Sequence, residues 1–259
     1  MNRTFILIMQ LACGLSLSGH SQVYDSLPPQ VAGWDTLLTQ IDPGCVRKFI
    51  FEGSTRSLAH LTAGALTLRT GKDCHPASGH PGEDELIIVK EGKLGIQTEQ
   101  GNQQLGPGSV AYFLPGEKHR ISNRVIAPAT CYIFRYRARN PLPNPPADVQ
   151  SRLINWDTIR VQPTEKGQRR ELLNGPTTLL AKFEMHTTAL RPGLVSHAPH
   201  THREEEIILI LRGEVTLNIN GERIAARAGD VAFLPSGVSH ALENTGSETC
   251  EYFAFQWRD

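Results

Sequence analysis

Three histidines and a glutamate in the second half of the chain are spaced for metal chemistry. His200 and His202 stand two apart in "HAPHTHREEEIILILRG", Glu206 follows four residues later, and His240 comes 34 residues after that in "GDVAFLPSGVSHALEN". On a strand, residues two apart point to one face. Glu206 keeps that parity if the strand runs on or turns back in a hairpin. Imidazole nitrogens with a carboxylate oxygen suit manganese, iron, nickel, zinc or copper. Such groups are costly to bury without a partner, and a cation offsets that cost. The competing reading is a polar rim with exposed histidines, and an H-x-H pair alone would favour it.

The first half of the chain repeats the second. Trp34, Asp35 and Thr36 match Trp156, Asp157 and Thr158 at an offset of 122, which holds through His80/His202. After one extra residue the offset becomes 121 and carries Glu85/Glu206, Gly92/Gly213, His119/His240 and Asn123/Asn244. Two copies are fewer than a solenoid needs, so each copy is expected to be a domain with its own core. The first spans 22–138 and the second 151–259. Between them "RNPLPNPPADVQ", residues 139–150, reads as a stiff extended linker because its prolines disfavour helix and ladder pairing. The Trp34 and Trp156 segments read as arms that pack across the two copies or across a homodimer.

Each copy reads as β. In the second, "TTLLAKFEMHTTAL" alternates, "EEIILILRG" is an apolar run suited to a strand buried on both faces, and "EVTLNINGERIAA" turns at Asn220-Gly221, a strong hairpin signal. The closing strand puts Tyr252, Ala254 and Gln256 on one face and Phe253, Phe255 and Trp257 on the other. Glu184 and His186 likewise share a face, opposite Phe183 and Met185, and periodicity does not say which pair faces the cavity. Short strands with glycine turns and almost no helical period indicate small antiparallel barrels or jelly rolls.

The first 21 residues stand apart. Arg3 precedes an apolar run from Phe5 to about Leu17, and Gly19 and Ser21 are spaced as a cleavage site requires. This pattern predicts a secretory signal, cut after Ser21, and a periplasmic or extracellular protein. The run is short for a membrane span. A lipoprotein variant would use Cys13, but Gln10 sits where an apolar residue is expected. Lys+Arg and Asp+Glu are equal at 26 each, which argues against a nucleic-acid partner. Cys45, Cys74, Cys131 and Cys250 lack C-x-x-C spacing and read as small buried hydrophobes.

"HTHREEEIILILRG" resembles the first motif of the cupin superfamily, and "GDVAFLPSGVSHALEN" resembles the second, with Pro235, Gly237, His240 and Asn244 in register. The duplication is similar to that of the bicupins. The resemblance implies an all-β chain of two tandem double-stranded β-helix barrels. It implies a divalent transition metal (manganese, iron, zinc or nickel) held by His200, His202, Glu206 and His240, with open positions for a small-molecule substrate or water and with Glu206 and His240 as the expected catalytic pair. The first copy departs from the pattern. It keeps His80, Glu85 and His119, a second and weaker metal set, but has Ser78 in place of His200 and Leu114 in place of Pro235. A metal-dependent dioxygenase, decarboxylase, lyase or isomerase on a small oxygen-rich substrate is the expected function. The alternative is a non-catalytic cupin that binds a sugar or an organic acid. Glu204, Glu205, His197, Arg203 and His186 are candidates for groups that support the site.

Overall fold

The structure is a computed structural model that describes residues 25–72 and 75–259, with backbone alone at 75–78. The expected signal segment and Cys74 lie outside the described residues. The described residues form strands, short 3-10 turns at Trp34–Thr36 and Trp156–Thr158, and no α-helix. The chain is all-β and folds as two barrels. Residues 140–151 contain no strand or helix.

Each barrel pairs a seven-stranded sheet with a smaller one, of four strands in the first half and three in the second. The Asn220-Gly221 turn forms as expected. Both residues take positive φ, 52° and 88°, and Ile219 pairs with Glu222 across them. Only such a turn matches the twist of the flanking strands.

The apolar runs are buried on both faces, as their sequence suggests. In Glu205–Arg212, Ile208 and Ile210 point into the C-terminal barrel. Ile207 and Leu209 point the other way, into a cluster that joins the two large sheets. In Asp84–Glu91, Ile87 and Val89 face inward and Leu86 and Ile88 enter the shared cluster. Aromatic rings meet across this seam. Phe134 stands edge-on to Phe255 at 5.1 Å and Phe51 lies 5.9 Å from Phe233. Each fully buried side chain of this size contributes about 1.5–3 kcal/mol, so the barrels are expected to stay joined.

The two halves also exchange arms. Gln30–Ala32, at the start of the first copy, pairs with Val231–Leu234 of the second barrel. Arg152–Ile154, at the start of the second copy, pairs with Val110–Phe113 of the first. Each arm thus adds an edge strand to the large sheet of the other barrel. The tryptophan that follows each arm fixes it. The Trp34 amide donates to Asp230 Oδ1 at 2.8 Å, and the Trp156 amide donates to Ser109 Oγ at 3.0 Å. Gly229 and Gly108 leave room for the rings. A Cβ would stand 2.9 Å from Trp34 at the first and 2.6 Å from Trp156 at the second. Lys48 and Lys90 lie over Trp34, and Arg170 lies over Trp156 at 4.2 Å. Cations over indole faces add attraction to the packing.

One sequence expectation needs correction. Cys45 is disulfide-bonded, so it is not merely a small buried hydrophobe. Cys131 and Cys250 are buried free thiols, as expected. Burial pushes the Cys250 thiol up to about 11.

Candidate metal centre

His200 and His202 reach the centre from a loop, not from a strand. The strand that holds Glu206 begins at Glu205. His200 makes a single bridge to His240, with backbone bonds of 3.2 and 3.0 Å in the two directions. The parity argument for an H-x-H strand therefore does not apply, yet the side chains converge. The His200 ring lies 5.3 Å from His202 and 4.7 Å from His240, and His202 lies 4.9 Å from His240. One nitrogen from each comes within 4.8 Å of the others.

Glu206 completes the group. Its Oε2 is 3.1 Å from His202 Nε2 and 3.0 Å from His240 Nε2. The other ring nitrogens are committed to backbone carbonyls. His202 Nδ1 is 2.9 Å from the Glu204 oxygen, and His240 Nδ1 is 2.9 Å from the Val238 oxygen. A carbonyl only accepts, so each Nδ1 carries a proton and donates it. In a neutral ring each Nε2 then presents a lone pair. Two lone pairs consequently face a carboxylate oxygen at hydrogen-bond distance. That arrangement is repulsive unless a proton or a cation lies between them. The electrostatics agree. Burial alone would raise the Glu206 carboxyl, but hydrogen bonds and charge from His202 and His240 outweigh burial and bring it down to about 2. The hydrogen bond to Glu206 raises His202, against its partial burial. The three histidines, with Glu206 beside His202 and His240, are the residues that could hold a divalent ion.

A cavity of about 680 Å³ opens over the four residues. The structure answers which pair on Lys182–Leu190 faces it. Glu184, His186 and Thr188 line the cavity, while Phe183 and Met185 enter the seam between barrels. On the closing strand Tyr252, Ala254 and Gln256 line it. Glu184 is a hub, with Arg169 Nη2 and Gln256 Nε2 both donating to it at 3.1 Å.

The other candidate supporting residues separate. The His197 ring packs on His200 at 4.0 Å. Glu204 pairs with Lys182 and Arg258 at the cavity mouth. Arg203 is exposed and lies 3.9 Å from Asp259. Glu205 turns away from the cavity. It is buried and accepts from Thr55 Oγ1, the amides of Arg56 and Ser57, and Trp257 Nε1 at 2.7–3.1 Å. The residue next to Glu206 is therefore anchored to a turn of the other barrel. Asp84, next to Glu85, reciprocates. It accepts from Tyr112 at 2.8 Å and reaches Thr178 of the C-terminal barrel. Burial raises its carboxyl to about 6, although hydrogen bonds from Tyr112 and its neighbours oppose that rise.

The first barrel holds a related but altered group. His119 Nε2 lies 2.9 Å from Glu85 Oε2, and His80 Nε2 lies 3.6 Å from the same oxygen. Ser78 is in backbone register with His119, as His200 is with His240. Arg135, in place of Gln256, was not singled out from the sequence. Its Nη1 lies 3.2 Å from His80 Nδ1. Arginine only donates, so this nitrogen accepts and a neutral His80 carries its proton on Nε2. That is the opposite tautomer from His202, with a fixed positive charge beside it. The repeat alignment placed Arg135 opposite Gln256, which was the available signal.

The sequence profile of the cupin domain matches residues 65–134 and 186–255. The chain is 43% identical over 84 residues to an oxalate-binding protein of Thermotoga maritima, covering 29% of this chain and 69% of that one. It is 24% identical over 183 residues to the (S)-ureidoglycine aminohydrolase of Arabidopsis thaliana, covering 70% of this chain and 60% of the plant protein. Among solved structures, protein Ylba from E. coli superposes with a TM-score of 0.70 at 20% identity, over 88% of this chain and 91% of that one. The Lactobacillus farciminis oxalate decarboxylase superposes at 0.67 with 13% identity, over 90% and 87%. These likenesses show the fold. With two domain matches in register with the internal repeat, the chain belongs to the cupin family as a bicupin.

Proposed function

We propose that the C-terminal barrel binds one divalent transition metal through His200, His202, Glu206 and His240, and uses it on a small oxygen-rich carboxylate. The observation that carries this is the pair of Nε2 atoms that meet Glu206 Oε2 at 3.0–3.1 Å from rings fixed by the Glu204 and Val238 carbonyls. When bound, the ion supplies Lewis acidity and open positions for substrate or water. Glu206 and His240 hold their positions through the strand and the carbonyl bond. The polar wall of Glu184, His186 and Gln256 orients what enters. A reaction of the dioxygenase, decarboxylase, lyase or isomerase type fits such a site. The relatives named for oxalate and for (S)-ureidoglycine support a small carboxylate as the ligand.

His80, Glu85 and His119 form a weaker second site in this reading, because Arg135 holds His80 in the wrong tautomer. We also assign the chain to an oxidising, extracytoplasmic compartment after cleavage at Ser21. The disulfide at Cys45 supports this, since such bonds persist outside reducing cytosol. A second reading is a non-catalytic binding protein, favoured by the identity to the oxalate-binding protein.

Elemental mass spectrometry of the chain from Val23 onward tests the site. Wild type should carry about one ion per chain. His200→Ala/His202→Ala should lose it, and His80→Ala/His119→Ala should keep it. No ion in wild type, after loading with manganese, iron, nickel and zinc in turn, would sink the proposal. With metal bound, turnover of a carboxylate that disappears in Glu206→Gln separates the enzyme from the binding protein.

A further inference from the structure

We infer that the C-terminal cavity takes a polyhydroxylated monocarboxylate rather than a two-carbon diacid. This inference rests on the metal-site reading above and adds to it the size and chemistry of the ligand.

Size is the first observation. Oxalate has six heavy atoms. If each is given a whole water's share of volume, about 30 Å³, oxalate fills about 180 Å³. The cavity measures about 680 Å³. A six-carbon sugar acid, with thirteen heavy atoms, fills about 390 Å³ on the same scale.

The second observation is the wall beyond the metal residues. Glu206 pairs with Gln256, and Gln256 with Glu184. One row deeper, Ile208, Ala254 and His186 lie side by side, and the row after that brings Tyr252 against Thr188. Ala254 is the smallest residue in these rows, so the gap it leaves lies between Ile208 and His186, one row from Glu206. The first copy lacks this wall. Glu184, His186, Thr188 and Ala254 correspond to Thr62, Gly64, Leu66 and Ile133. Both the gap and the polar groups therefore belong to the C-terminal barrel alone.

Charge chooses the ligand's far end. Apart from Glu206, the lining holds three cations, Lys166, Arg169 and Lys182, and three carboxylates, Glu165, Glu184 and Glu204. Arg169 and Lys182 both contact Glu184. A second carboxylate would meet no surplus positive charge there. Hydroxyls, which donate and accept, match such a wall. His186 Nδ1 is buried without a hydrogen-bond partner and 3.5 Å from Glu184 Oε1. Beyond the metal group, it shares spare bonding capacity with Ser196 Oγ, which also lines the cavity and is buried without a partner.

Calorimetry on the metal-loaded full chain tests this with three probes. They are oxalate, gluconate, and adipate as a six-carbon diacid without hydroxyls. Metal content is measured before and after each titration. Gluconate should bind at least about tenfold more tightly than either diacid, the worth of one or two hydrogen bonds. Thr188→Val should weaken gluconate about fivefold and leave oxalate unchanged, and His186→Ala should weaken gluconate about fivefold more than it weakens oxalate. Adipate binding as tightly as gluconate, or gluconate indifferent to both variants, would overturn the inference while the metal reading stands. Wild type without metal, or carboxylate binding that ignores metal removal, would instead bring down the reading beneath it.

Discussion

At matching positions the C-terminal barrel has His200, His186, Ala254 and Gln256 where the N-terminal barrel has Ser78, Gly64, Ile133 and Arg135. Outside the cavity the copies remain close. Both have the arm, the tryptophan, the glycine beneath it and the acid that crosses to the other barrel. The inward face differs in metal-site and charged groups, while the seam face differs only among apolar and aromatic side chains, such as Phe183 against Leu61 and Trp257 against Tyr136. The lesson is that scaffold and chemistry are carried by opposite faces of the same strands. A period-two alternation allows one face to change without moving the other.

The largest test of this comparison is to rebuild the lost site. Ser78→His with Arg135→Gln should raise the metal content from about one to about two ions per chain. Arg135→Gln frees His80 to take the tautomer of His202, so Ser78→His alone should do less. Elemental analysis reads both, and no gain in the double variant would mean that the barrels differ by more than these groups.

The next test concerns the joint. Glu205→Ala leaves three buried donors and the part-buried Arg56 amide without an acceptor and should cost about 3 kcal/mol or more. For a chain of this size that is a fall of roughly 10 °C in melting temperature. Glu205→Gln should cost less. If Glu205→Ala melts like wild type, the anchor to the first barrel is not holding the joint.

Asp84 gives the smallest effect and the opposite sign. Its folded value of about 6 stands above the 3.8 of an ordinary aspartate. A raised folded value means that stability is fully present below about pH 4 and is lost as pH rises through about 6. The loss amounts to at most about 3 kcal/mol. Asp84→Asn should therefore melt higher than wild type at pH 7.5 and no higher at pH 4. A variant that melts lower at both would show that the charged form is held well. It would also remove the contrast with Glu205.

Much of this was legible in the sequence. The repeat, the β class and the Asn220-Gly221 turn follow from spacing and alternation, and the set of His200, His202, Glu206 and His240 from the two motifs that resemble those of the cupins. The facing of His186 did not. Alternation groups residues by face but does not say which face meets the cavity and which meets the other barrel. Both faces of Lys182–Leu190 carry large side chains, so composition gave no preference. The destination of Glu205 was hidden for a similar reason. Beside two other glutamates it reads as part of a solvated rim, and its partners lie about 150 residues away in the chain. The route by which His200 and His202 arrive was misread because two-residue spacing was taken as a strand.

The exchanged arms have one further consequence. A polypeptide of half this length, with one arm and one barrel, would be left with an unpaired sheet edge and a tryptophan without its seat. Two such polypeptides would satisfy each other by trading arms about a two-fold axis. Tandem duplication turns that trade between molecules into one within a molecule, which dilution cannot undo. From then on the halves no longer had to be identical. One interior can then carry a serine and an arginine where the other carries a histidine and a glutamine, because the arms hold the shape of the pair.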